Sequence, residues 1–339
     1  MSGETFIPSR SDERVDALAK KYVDLSHPRL GTQAIACTDD FFAPMARMLD
    51  PKPAIFVPDK YDDNGKWMDG WESRRKRTAG YDWCVIRLGT PGQIHALDID
   101  TSHFTGNYAP AASVEAWSGE GDPGEDEEWT MLLPETKLEG DSHHPIEISN
   151  SDVWSHLRLN IFPDGGVARL RIFGTIHKDW SKVGADELID LAAQVNGGTG
   201  VAWNDAHFGV PANMIAPGTG VNMGDGWETA RRRVPGNDWS IVKLGHTGIV
   251  EKILVNTDFF KGNFPDRCCL RGGLVEGELS EDELIAASKN WPPLLEESKL
   301  SADSDHWFDA NDIGAISHVR LDIFPDGGIS RLRLMGKKA

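Results

Sequence analysis

One segment of this chain is written twice. Residues 156–174, HLRLNIFPDGGVARLRIFG, align without a gap to residues 318–336, HVRLDIFPDGGISRLRLMG, with thirteen identities in the nineteen positions. A repeat of this kind obliges the fold to accommodate two copies of one structural unit. More blocks follow the same order in both halves. DGWESRRKR at 69–77 matches DGWETARRR at 225–233, GYDWCVIRLG at 80–89 matches GNDWSIVKLG at 236–245, and TSHFTGNY at 101–108 matches TDFFKGNF at 257–264. LLPETKL at 132–138 pairs with LLEESKL at 294–300, and Asp24, Gly31, Asp39 and Phe42 pair with Asp190, Gly197, Asp205 and Phe208. The offset changes between blocks, which places insertions in the loops that separate them. With 339 residues the chain has room for two domains of ordinary size. They are expected at 1–176 and 177–339, joined near Thr175 to Lys182.

Each half is expected to open with a short helix. Ser11 can cap the first, with Asp12 and Glu13 in its opening turn, and Asp186-Glu187 can begin the second ahead of the Asn196-Gly197-Gly198 stop. The pattern then becomes one of short alternating strands. In 156–162, Leu157, Leu159 and Ile161 point one way and His156, Arg158 and Asn160 the other, while 168–172 sets Ala168, Leu170 and Ile172 against Arg169 and Arg171. Pro163-Asp164-Gly165-Gly166 supplies the turn of this half-buried hairpin. Many such strands and few helices argue for an all-β sandwich in each half.

Charge narrows the partners. A formal net charge of −18 repels nucleic-acid phosphates and anionic membrane surfaces, so neither is expected as a partner. No apolar run approaches the roughly 18 residues a membrane helix needs. The four cysteines, Cys37, Cys84, Cys268 and Cys269, form no CxxC pair and read as reduced thiols. Met1-Ser2-Gly3-Glu4 carries no basic-then-apolar leader, so a cytoplasmic location is expected.

The segment DWCVIRLGTPGQIHALDIDTSHFTGN with its closing RLRIFG, and its second copy DWSIVKLGHTGIVEKILVNTDFFKGN with RLRLMG, resemble the galactose-binding-like or discoidin jelly roll. The doubled DGWE-[ST]-x-R-x-R, HFTGN or FFKGN, and IFPDGG-[VI]-x-RLR blocks resemble the allantoicase family specifically, from about Val15 to Gly336. That resemblance implies two jelly-roll domains and the release of urea from allantoate to give ureidoglycolate in purine breakdown. It also implies a small-molecule substrate and a homo-oligomer. A tandem discoidin-like carbohydrate- or ligand-binding protein without catalysis is the alternative.

If those are the products, the bond that breaks joins the central carbon of allantoate to one ureido nitrogen. The site then needs a carboxylate clamp, a proton donor or acceptor, and polar groups that recognise amides. The Arg runs suit the clamp, because a guanidinium fork matches a carboxylate. If 71–77 is a strand, Trp71, Ser73, Arg75 and Arg77 share one face, and Trp227, Thr229, Arg231 and Arg233 repeat the parity. These arginines can equally pair with surface carboxylates. Glu72 and Glu228 follow the Trp in each copy, where an apolar ring can raise a carboxyl pKa, yet alternation puts them opposite Arg75 and Arg231. The other reading is a salt-bridged Glu.

His103 stands in one copy only, since Phe259 replaces it, and it is a candidate proton carrier. Asn107 and Asn263 can bind a ureido group or simply form a turn. Asp141, His143 and His144, with Asp303, Asp305 and His306 in the second copy, are the one set that looks like metal ligands, but without a recognised spacing. They read more simply as loop residues, and the sequence does not decide whether a divalent metal is used. Arg158, Arg169 and Arg171, repeated as Arg320, Arg331 and Arg333, read as structural.

Overall fold

The computed structural model describes residues 5–339; Met1-Ser2-Gly3-Glu4, on which the leader reading rests, lie outside the described residues. The chain divides into two compact units, one ending at His177 and the other beginning at Lys178. Each is built around a 19-residue strand, Asp82–Asp100 in the first and Asp238–Asn256 in the second.

That strand explains how one sequence block makes a sandwich. In the first unit its leading half pairs with Gln33–Cys37 and Val153–Phe162, and its trailing half with Pro145–Glu147 and Arg169–Ile176, all antiparallel. One strand thus joins two layers, the arrangement expected where a strand bends from one sheet into the other. Ala111–Trp117 and Thr130–Lys137 extend the first layer, and Val23–Asp24 borders Arg169–Ile176. The second unit repeats this order with Ile189–Asp190, Arg331–Lys338, Ile316–Phe324, Arg267–Gly273 and Pro293–Lys299. The pairing changes register between Arg87 and Gly92 and between Lys243 and Gly248, across the paired Leu-Gly steps. A Cβ on Gly89 would lie 2.0 Å from the Leu30 carbonyl oxygen, and one on Gly245 would lie 1.9 Å from that of Asn196, so only glycine fits. The chain is therefore built of two β-sandwiches, as the alternating pattern predicts, with the jelly-roll form that the resemblance implies.

Leu157, Leu159, Ile161, Leu170 and Ile172 are buried as expected. The opposite face departs from the half-buried reading. His156, Asn160 and Arg169 are also buried, because neighbouring chain covers them and supplies hydrogen bonds. Asn160 donates to Ser113 and Glu115, and Arg169 to the carbonyls of Lys52, Asp69 and Ala168 and to the Asp69 carboxylate. Arg331 repeats this with Gly218 and Asp225. A buried polar side chain persists only when partnered in this way. Arg169, Arg171, Arg331 and Arg333 are therefore staples that tie loops to the sandwich, whereas Arg158 pairs with Glu115 on the neighbouring strand and Arg320 with Asp322 on its own.

The helical starts differ from expectation. The first helix, Glu13–Lys21, is capped by Asp12 rather than Ser11: the Asp12 carboxylate accepts from the Arg14 N–H. Asp186 and Glu187 begin no α-helix. A 3₁₀ turn, Trp180–Lys182, precedes them, and Ile189–Asp190 is drawn into the sheet edge against Met335 and Gly336. The second α-helix, Glu281–Ser288, lies instead within the second unit. Its start was readable, because Ser280 and Glu283 form a reciprocal capping box.

Candidate active site

Three of the repeated blocks meet at one place in each unit. The DGWE segment forms a two-residue strand, Trp71–Glu72, against Gly166–Val167 of the PDGG turn. The turn and the Gly-Asn loop are joined as well, since the Gly166 N–H donates to the Asn107 carbonyl at 2.7 Å. Trp71 anchors the strand. Its ring is fully buried and its indole N–H donates to the Asp39 carbonyl at 2.8 Å, a contact repeated by Trp227 and Asp205. Removing such a ring costs about 3–5 kcal/mol. The turn itself needs glycine: Gly165 and Gly327 have φ of 131° and 135°, outside the range of L side chains. Ser73 and Thr229 close the joint by accepting the N–H of Gly165 and Gly327.

On this frame Glu72 is buried and held by backbone on both sides, its N–H donating to Ala43 and its carbonyl accepting from Phe42 and Ala43. Its carboxylate accepts from the Asn107 side-chain amide at 2.8 Å. Burial raises the Glu72 pKa above the usual range, and the Asn107 hydrogen bond offsets part of that rise. Glu228 and Asn263 form the same pair in the second unit. The salt-bridged reading is not found, because among the described residues neither glutamate has an ion-pair partner.

Two adjoining cavities open on Glu72 and share Phe42 and Asn107 as walls. One, of about 300–500 Å³ in scale for a small ligand, has a volume of 470 Å³ and is also lined by His103, Thr105 and Lys66. The other has a volume of 330 Å³ and includes Ser73, Arg75 and Asp164. Glu72 and Arg75 therefore face one space, contrary to strict alternation. The ladder ends at Glu72, and residues 73–77 run as irregular chain in which Ser73 is buried but Arg75 and Arg77 are exposed. Period-two parity applies only while a strand continues.

The arginines divide into two groups. Arg74 pairs with Asp39, Lys76 with Asp82 and Arg232 with Asp238. Among the described residues, Arg75, Arg77, Arg231 and Arg233 have no hydrogen-bond or ion-pair partner. The four candidates are left unneutralised in a chain whose net charge is −18. Of the first pair, Arg75 lines the cavity while Arg77 lies outside it.

His103 occupies the left-handed region at φ 68°, its N–H donating to Asp141 at 2.8 Å. The ring stacks on Phe56, with centroids 5.9 Å apart. The other acidic and histidine candidates hold loops. His144 and His306 each bridge two backbone groups, the first between Ile99 and Glu139 and the second between Val255 and Ser301. His143 lies between Asp98 at 2.7 Å and the Arg10 carbonyl, and the Asp98 hydrogen bond raises its pKa to about 9. Asp303 accepts from Phe259, and Asp305 from Asn256. Among the described residues no group of three His, Cys, Asp or Glu side chains converges as a metal site. Phe42, Phe56, Lys66 and Thr105 were not singled out in the sequence, although the pairing of Phe42 with Phe208 was the available signal for one of them.

An Allantoicase repeat family model matches residues 23–177 and again 189–339. A probable allantoicase 1 of Burkholderia mallei is 53% identical over 96% of this chain and 97% of that protein. A probable allantoicase of Pseudomonas syringae pv. syringae is 55% identical over 94% of this chain and 97% of its own length. The crystal structure of allantoicase from Saccharomyces cerevisiae, 32% identical, covers 98% of this chain and 100% of that one with a TM-score of 0.77.

Proposed function

The chain belongs to the allantoicase family, and on that premise we propose that it hydrolyses allantoate to urea and ureidoglycolate at the cavities around Glu72. The observation that carries the assignment of the site is the unpartnered Arg75 in the same space as a buried, hydrogen-bonded Glu72.

Allantoate offers a carboxylate, two ureido groups and a central C–H carbon. Arg75 takes the carboxylate through its fork, and Asn107 presents an amide to a ureido group. Glu72, whose raised pKa favours the acid form, gives its proton to the departing ureido nitrogen. The carbon–nitrogen bond electrons go to that nitrogen, and the lone pair of the second ureido nitrogen forms a C=N bond to the central carbon. Water adds at that carbon and releases a proton, which restores the acid. The second unit carries the matching Glu228, Asn263 and Arg231, while Arg77 and Arg233 add positive potential that attracts the anion.

Cytoplasmic location and assembly as a homo-oligomer belong to the same reading. The four unpaired cysteines support the first, and the exposed Phe208, Val221 and Met223 support the second. Fractionation and sedimentation of the native protein test them. No helix among the described residues is long and apolar enough to cross a membrane.

The test of the activity is urea release from allantoate in ¹⁸O water. Label is expected in the new hydroxyl of ureidoglycolate and not in urea. Absence of urea overturns the activity, and label in urea overturns the bond assignment in favour of attack at a ureido carbonyl.

A further inference from the structure

The two Glu–Asn centres differ in what surrounds them, and the difference lies in side chains rather than backbone. His103 in the first unit and Phe259 in the second have φ of 68° and 71°. Their N–H groups donate to equivalent aspartates, Asp141 at 2.8 Å and Asp303 at 2.7 Å. Phenylalanine therefore satisfies this turn as well as histidine, and the turn gives no reason for an imidazole. What the imidazole adds is a ring nitrogen able to accept a proton, on the cavity wall that also carries Glu72 and Asn107.

Around Glu228, Phe259 replaces the imidazole and Lys261 replaces Thr105, with the Lys261 ammonium 3.7 Å from Asp303. Phe259, Met223 and Phe208 are 38%, 45% and 64% exposed, and the Met223 sulfur lies 3.8 Å from the Asn263 amide nitrogen. His207 is near in sequence to this centre, but its N–H is bound to the Glu228 carbonyl and its ring stands edge-on to Phe208 at 4.3 Å. It occupies the position of Phe41, not that of His103.

We propose that turnover is confined to the first unit, with His103 as the catalytic base that completes the Glu72 site. This rests on the activity assigned above and deepens it. Once Glu72 has protonated the leaving nitrogen, the His103 imidazole takes the proton of the water that adds to the central carbon and returns it through solvent to the Glu72 carboxylate. No proton is gained or lost over the cycle. The titratable groups that share the wall with His103 are Glu72, Lys66 and Asp141. Lys66 is tied back to the Val57 and Pro58 carbonyls, and the His103 Nε2 lies 3.3 Å from the Ala54 carbonyl, so that Nδ1 is the ring nitrogen left to act as the base.

The test is His103→Phe, a substitution for which Phe259 already shows that the turn accepts the ring. If the first unit alone turns over, kcat falls about 100-fold, the usual scale for loss of a positioned base. KM changes little and the unfolding temperature is retained. If both units work independently, about half of kcat remains in His103→Phe, and that result overturns the inference. His103→Gln, which keeps polarity but cannot carry a proton at neutral pH, must fall as far as His103→Phe; activity retained in it overturns the role as base. Both variants are compared with wild-type protein on allantoate. An inactive wild type overturns the activity itself, whereas an active wild type with active variants overturns this inference alone.

Discussion

The Asn107 side-chain amide donates to the Glu72 carboxylate at 2.8 Å across 35 residues of chain, and Asn263 and Glu228 repeat the bond at the same separation. The pair sets the protonation of Glu72. Burial favours its neutral form, while the Asn107 bond favours the charged form. Because the folded-state pKa is raised overall, the acid needed to protonate urea is present at low pH and is lost as pH rises through that pKa. Asn107→Ala removes the opposing influence. The alkaline limb of kcat/KM should then move to higher pH, and kcat/KM should fall roughly 10- to 100-fold for a lost charged hydrogen bond of about 1.5–3 kcal/mol. A limb that moves to lower pH or stays in place contradicts the pairing.

Arg75 has no partner among the described residues and is exposed, so its removal should leave stability intact. Arg75→Lys keeps the charge but not the fork. Its kcat/KM on allantoate should fall about tenfold or more, with the unfolding temperature unchanged within a few degrees. The same comparison for Arg231→Lys reads the second unit separately. Wild-type kinetics in Arg75→Lys would remove it from carboxylate binding.

Arg169 is a contrasting case. Its guanidinium is buried and donates to the Asp69 carboxylate at 2.7 Å as well as to the carbonyls of Arg47, Lys52, Pro53, Asp69 and Ala168. Arg169→Met leaves Asp69 buried without its cation and should destabilise the first unit by about 3–5 kcal/mol. Denaturant unfolding should show the loss, and activity per folded molecule at low temperature should stay near wild type. A stable but inactive variant would move Arg169 from scaffold to chemistry.

The sequence by itself determined the repetition and the strand content, and it singled out several of the residues that line the candidate site. A gapless nineteen-position match cannot be divided between two different folds, and the alternation of Leu157, Leu159 and Ile161 fixes which face is core. The turn glycines were legible for the same local reason, since Gly165 and Gly327 need a φ that other residues avoid. The candidate site was legible in part: Glu72, Asn107, His103 and Arg75, which line its cavities, all stand in repeated blocks.

Tertiary structure decided how those parts face one another. Alternation predicts Glu72 and Arg75 on opposite faces, and the structure unites them because the strand stops at Glu72. Similarly, Asp186-Glu187 carries a helix-start pattern, but the adjacent Ile189–Asp190 gains more by joining the sheet edge. Arg169 and Arg75 are both arginines within repeated motifs. One became a buried staple and the other an unpaired cation because the loop around Asp69 closes over the first and leaves the second open. Local periodicity follows from backbone geometry and can be read from neighbours in the chain. Which ladder ends where, and which loop covers which side chain, depends on contacts between residues far apart in sequence, and these exist only once the sandwich has closed.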